Sequence, residues 1–173
     1  MDPEQIPLFT GRWHDLTSSL HRPLLVTQPL NCEPSVMLVD GAGARASVLV
    51  KWFRRQGEGD VDAALAIRTA FQQGALLLFA PPLVNLELIN LSGRRWGWNE
   101  DRLRSLASAL GHLNLQLVEP ALDRVAIWTG RGLTAYDAAY IAVAEAGGMH
   151  LITADRTILA TAPSIARPPA TWS

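Results

Sequence analysis

From position 36 onward, apolar residues fall into two alternating patterns. "VMLVD" (36–40), "ALLLFA" (75–80) and "MHLIT" (149–153) are short, nearly unbroken apolar runs, and each reads as a strand buried in a parallel sheet. "LQLVE" (115–119) is a weaker candidate for a further strand. Between them lie longer stretches with helical spacing. "ASVLVKWFRR" reads as a helix, and "DVDAALAIRTAFQQG" as an amphipathic one capped by Asp60 and closed by Gly74. "PPLVNLELINLSG" is a helix opened by proline and ended by Gly93, and "NEDRLRSLASALGHL" carries acids in its first turn. "ALDRVAIWTG" is followed by "LTAYDAAYIAVAEAGG", where Thr134 opens a helix and Gly147-Gly148 stops it. Strands alternating with helices predict an α/β domain with a central parallel sheet covered on both faces.

Residues 1–35 break this rhythm. They hold Pro3, Pro7, Pro23, Pro29 and Pro34 without sustained periodicity, and so read as a weakly structured N-terminal extension to a domain over 36–173.

Within the apolar frame, a few acids stand out. Asp137, three residues after Thr134, fits a capping box in which its carboxylate reaches back to a backbone N–H. Asp155 fits the N-cap of "RTILATA". Yet a helix of about twelve residues descends roughly 18 Å, and a strand of five or six residues returns roughly 17–20 Å. Both acids therefore come back to one edge of the sheet, the edge where open α/β sheets bind ligands. Glu87 sits among Leu83, Val84, Leu86, Leu88, Ile89 and Leu91, a costly place for a carboxylate unless it is paired or metal-bound, or reaches solvent on a polar stripe with Asn90. Asp40 ends the first strand, either as a turn residue before "GAGA" or as a fourth acid at the ligand edge.

Composition narrows the chemistry. The 173 residues suffice for one domain with a real core, and 49% hydrophobic with 18% charged residues excludes a disordered chain. A formal net charge of −1 gives no global basic field for nucleic acid, so phosphate would have to be met locally, through bound cations. The one cysteine, Cys32, excludes an internal disulfide and a thiolate metal cluster, consistent with a reducing cytoplasm. No apolar run reaches the ~18 residues of a membrane span, and the acidic start "MDPEQIPLF" does not fit a signal peptide. The histidines at 14, 21, 112 and 150 lack metal-ligand spacing and read as structural or solvated. A phosphoacceptor receiver domain is disfavoured, because Lys51, the one lysine, falls on an early helix instead of a late strand.

Taken in order, Asp40 after a first strand, "ASVLVKWF", "LELIN", "LTAYDAAYIAVAEA" and "LITADRTIL" resemble the PIN-domain family, most closely the VapC-type toxins of bacterial toxin–antitoxin pairs. The resemblance covers roughly residues 36–159. It implies a PIN-like three-layer α/β/α fold in which four acids hold Mg²⁺ or Mn²⁺ for RNA hydrolysis. By the match of motifs these are Asp40, Glu87, Asp137 and Asp155, with Ser47, Asn90 and Thr153 in support. It further implies an endoribonuclease that forms a homodimer and is neutralised by a cognate antitoxin. The physics agrees: clustered carboxylates repel one another, hard cations favour oxygen ligands, and a bound ion activates water and steadies the charge on the scissile phosphate.

One motif departs from the family. Members usually carry Val-Asp-Ala-Ser-Val, whereas here Arg45 precedes Ala46-Ser47 and Asp40 lies five residues earlier. Either the loop is lengthened and Asp40 still reaches the site, or Arg45 has taken its place, leaving a catalytically impaired antitoxin- or RNA-binding module. A strand ending at Arg45 would have to contain "GAGA", which favours the first option. Arg54-Arg55, Arg94-Arg95, Trp96, Trp98, Arg102 and Arg104 are candidates for RNA contact or a protein interface, or are solvated helix faces.

Overall fold

The first strand, β1 (Ser35–Val39), pairs in parallel with β2 (Leu76–Ala80) on one side and β4 (His150–Ile152) on the other. The computed structural model describes residues 35–39, 48–53 and 61–171, with only the backbone given over 35–39. Apart from residue 35, the expected extension lies outside the described residues. So do Asp40, Arg45, Ser47, Arg54-Arg55 and Asp60.

Two very short strands, β3 (Gln116–Leu117) and β5 (Ala166–Arg167), complete a five-stranded parallel sheet in the order β3-β2-β1-β4-β5. Seven described helices accompany it: α1 (Val50–Phe53), α2 (Val61–Gln72), α3 (Leu83–Arg94), α4 (Glu100–Gly111), α5 (Leu122–Gly130), α6 (Ala135–Ala146) and α7 (Arg156–Thr161). In chain order the strands move outward from β1 through β2 to β3, then return past β1 to β4 and β5. Because parallel crossovers are right-handed, that reversal assigns α1–α4 to one face and α5–α7 to the other, the three-layer α/β arrangement expected from the sequence. It also puts the switch point between β1 and β4.

Packing follows the residue types. Helix α6 is buried from Ala138 through Ala144, and its alanines let it lie close against β1 and β4. A helix apolar all round has to be interior. On the opposite face, Trp52 of α1 donates its indole N–H to the Ala64 carbonyl at 2.8 Å and stacks on Phe71, which locks α1 to α2. In β2, Leu76, Leu78 and Ala80 are buried, while Leu77 is 38% exposed, so "ALLLFA" is less evenly covered than a strand buried on both faces.

Two sequence expectations shift, and one strand carries no sequence signal. Gly93 does not end its helix, which runs to Arg94; it lies inside α3, where the Leu103 side chain of α4 approaches to 3.4 Å of the space a Cβ would fill. The candidate strand over 115–119 shrinks to two residues. Strand β5, an edge strand in a proline-rich tail, is too short to leave a periodic signal. The stop after α6 is as read: Gly147 caps it, and Gly148 turns the chain at φ +60°, a conformation that glycine adopts without strain.

Candidate active site

Each described candidate acid is placed by an element that ends or begins at the carboxyl edge of the sheet. Val39, which precedes Asp40 in the chain, pairs with Ile152, and Thr153, Ala154 and Asp155 follow Ile152 directly. Glu87 lies in the second turn of α3, the helix that leaves β2. Asp137 lies in the first turn of α6, the helix that leads into β4.

At the start of α6, Thr134 is the N-cap, accepting the Asp137 backbone N–H at 3.1 Å. The Asp137 carboxylate accepts the Thr134 hydroxyl proton at 2.7 Å instead of reaching a backbone N–H. One turn on, Tyr140 is fully buried and donates its hydroxyl to Oε2 of Glu87 at 2.5 Å. This bond joins helices from opposite faces of the sheet, and it ties the Glu87 and Asp137 elements together. Burial, helped by the nearby Asp137 carboxylate and opposed by the Tyr140 hydrogen bond, pushes the Glu87 carboxyl up to about 7.

Asp155 caps α7, its Oδ1 accepting the N–H groups of Thr157 and Ile158 at 2.7 and 3.1 Å. Its other oxygen is not committed to the cap. Thr153, wholly buried, accepts the Asp155 backbone N–H at 3.0 Å and so fixes the turn that presents it. Asn90 is exposed on α3.

The structure therefore brings Glu87 and Asp137 into electrostatic contact. It does not gather a third: among the described residues, no three of His, Cys, Asp and Glu group closely enough to hold a metal ion. The donor chemistry still suits a hard divalent cation, because both neighbouring groups are carboxylates and Glu87 is pushed up to about 7 by burial and by Asp137. A cation there would replace carboxylate repulsion with attraction, and would activate water and polarise a phosphate.

Tyr140 was not among the residues read from the sequence. Its signal was present as a tyrosine three positions after Asp137, on the same face of an otherwise alanine-lined helix. A second unforeseen group links α5 to α6, where Arg124 holds the Glu145 carboxylate with a two-pronged contact and the Trp128 indole donates to it at 3.2 Å. Of the basic residues, Arg102 stacks over Trp98 at 4.4 Å and Arg104 pairs with Glu100 at 2.7 Å. Arg94 and Arg95 are exposed. His112 places Nδ1 2.6 Å from the Ser108 carbonyl oxygen, a local contact at the end of α4.

The PIN domain family model matches residues 46–162, more than half of the chain. The chain belongs to the PIN-domain family. The matched span starts at Ala46, immediately after Arg45, and includes Glu87, Asp137 and Asp155 but not Asp40. The chain is also similar to a protein of Pyrobaculum aerophilum named Exonuclease VapC9, with 43% identity over 72 residues. That match covers 36% of this chain and 54% of the relative, so it spans about half of the relative's length. Among the described residues, no helix is long and apolar enough to cross a membrane.

Proposed function

We propose that this chain is a metal-dependent ribonuclease of the VapC type, an endoribonuclease that hydrolyses RNA phosphodiester bonds with Mg²⁺ or Mn²⁺. The observation that carries the reading is the Glu87–Asp137 pair, two carboxylates from different helices brought together at the sheet edge, one of them raised to about 7. Such a pair is unfavourable alone and is relieved by a cation. Asp155 and Asp40 are the remaining proposed ligands, with Ser47, Asn90 and Thr153 supporting them. The similarity to a protein named for VapC supports the class, and by that class the partners are a cognate antitoxin and a second copy of the chain, in the cytoplasm. The relative's name says exonuclease, so the manner of cleavage is part of the test.

The test uses full-length protein freed of any partner and a panel of structured RNAs labelled at the 5′ end, with and without Mn²⁺. Internal cuts that need the metal and fall by orders of magnitude in Glu87→Gln and Asp137→Asn support the reading. Stepwise loss of terminal nucleotides would make the enzyme an exonuclease, and unaltered cleavage by Asp137→Asn in EDTA-treated, Mg²⁺-restored protein would sink the site. A second reading has its own observation: the family match omits Asp40, and no third acid joins the pair among the described residues. On that reading the chain is an impaired PIN domain that binds antitoxin or RNA. Tight RNA binding without cleavage at any Mn²⁺ concentration would establish it.

A further inference from the structure

We propose that Tyr140 is the positioning residue of the metal site, holding one oxygen of Glu87 so that the other faces the cation; this rests on the metal-dependent reading above. The two residues come from different helices, 53 positions apart, and their bond is a direct link between the helix of Glu87 and the helix of Asp137. Tyr140 is one of only two tyrosines in the chain and is 0% exposed, so its ring has no freedom to swing and the hydroxyl's direction is set by packing. For packing alone, a phenylalanine would fill the same space without a polar atom to satisfy. The hydroxyl instead meets a carboxylate that is itself half-buried beside a second carboxylate. A donor on Oε2 fixes the plane of the carboxylate and leaves Oε1 for a ligand. Outer partners of this kind orient metal ligands, and their loss typically weakens metal binding by about 10–100-fold.

The deciding variant is Tyr140→Phe in the full chain, compared with Glu87→Gln. Calorimetric Mn²⁺ titration should show affinity weakened by about 10–100-fold in Tyr140→Phe. RNA cleavage should recover as Mn²⁺ is raised by the same factor, with KM for RNA unchanged, because the residue acts on the ion and not on the substrate. Melting in EDTA should remain cooperative. A second measurement leaves the hydroxyl in place: in protein labelled with 3-fluorotyrosine, assigned with Tyr136→Phe, saturating Mg²⁺ should move the Tyr140 fluorine resonance. Wild-type Mn²⁺ affinity in Tyr140→Phe, with affinity lost in Glu87→Gln, would overturn the inference and leave the metal site standing. So would a Tyr140 resonance unmoved by Mg²⁺, or a Tyr140→Phe chain that no longer melts cooperatively, since the hydroxyl would then serve the fold. No Mn²⁺ binding by the unaltered chain would instead overturn the underlying reading.

Discussion

The Thr134 hydroxyl donates to the Asp137 carboxylate at 2.7 Å while accepting the Asp137 backbone N–H at 3.1 Å. One side chain thus starts helix α6 and aims the acid that the helix carries. Capping and the proposed cation binding are compatible uses of the same first turn.

Thr134→Ala removes both contacts, and Thr134→Ser keeps both. Loss of an N-cap costs about 1 kcal/mol, which for a domain of this size lowers Tm by roughly 2–4 °C. Thr134→Ala should show that fall together with weakened Mn²⁺ affinity, and Thr134→Ser should show neither. A normal Mn²⁺ titration for Thr134→Ala would mean that the hydroxyl only caps.

Asp155 allows its two roles to be separated by choice of substitution. Its Oδ1 takes two backbone N–H groups at the start of α7, and asparagine caps about as well as aspartate. Asp155→Asn should therefore leave Tm nearly unchanged, whereas Asp155→Ala should lose about 1 kcal/mol. If Asp155 is also a ligand, both variants lose metal-dependent cleavage alike. Retained cleavage in Asp155→Asn would reduce the residue to a helix cap.

The frame was more legible in the sequence than the site. Long periodic segments such as those over α2 and α4 are plain in the sequence, because burying one face of a helix imposes a spacing that no local conflict disturbs. The two-residue strands left too few residues for any period. Glu87 and Asp137 were visible as acids in the wrong surroundings, and the path of helix and strand returned Asp137 and Asp155 to one edge. The Tyr140 contact was not visible, because a bond between residues 53 positions apart depends on how two helices meet across the sheet. Gly93 departs from its sequence pattern for a related reason: a glycine that admits Leu103 looks, in sequence, like one that ends a helix.

The Glu87 carboxyl gives a pH signature in metal-free protein. Its folded value of about 7 lies above the ordinary 4.5, so between those values the folded state holds a proton that the unfolded state has released. The stability tied to that proton is fully present below about pH 4.5 and is lost as pH rises through about 7. After allowance for solvent screening at a half-buried group, the effect is on the order of 1 kcal/mol. Melting in EDTA should show the wild-type chain losing stability relative to Glu87→Gln as pH rises from 5 to 8. A pH-independent difference between the two would contradict the burial assigned to Glu87.

The altered first motif decides between an enzyme and an impaired module. Asp40 follows β1 in the chain, and the last described residue of β1, Val39, pairs with Ile152 next to the Thr153-Ala154-Asp155 turn. The family match, however, begins only at Ala46. If Asp40 is the fourth ligand, the five residues Gly41 to Arg45 lengthen a loop without displacing the strand end, and loops absorb such insertions readily. Asp40→Asn should then weaken Mn²⁺ binding and cleavage. Deleting Gly41 to Arg45 joins Asp40 to Ala46-Ser47, restores the family spacing and should strengthen both, because a shorter connection holds a ligand more firmly. If Arg45 occupies the position instead, its guanidinium competes with the cation for the carboxylates. The intact chain would then bind Mn²⁺ poorly, Asp40→Asn would change nothing, and Arg45→Ala would raise affinity. The strand pattern favours Asp40, since "GAGA" is a poor strand, so the expected result is loss in Asp40→Asn and gain in the deletion. Equal Mn²⁺ affinity for the intact chain and Asp40→Asn would reverse the assignment.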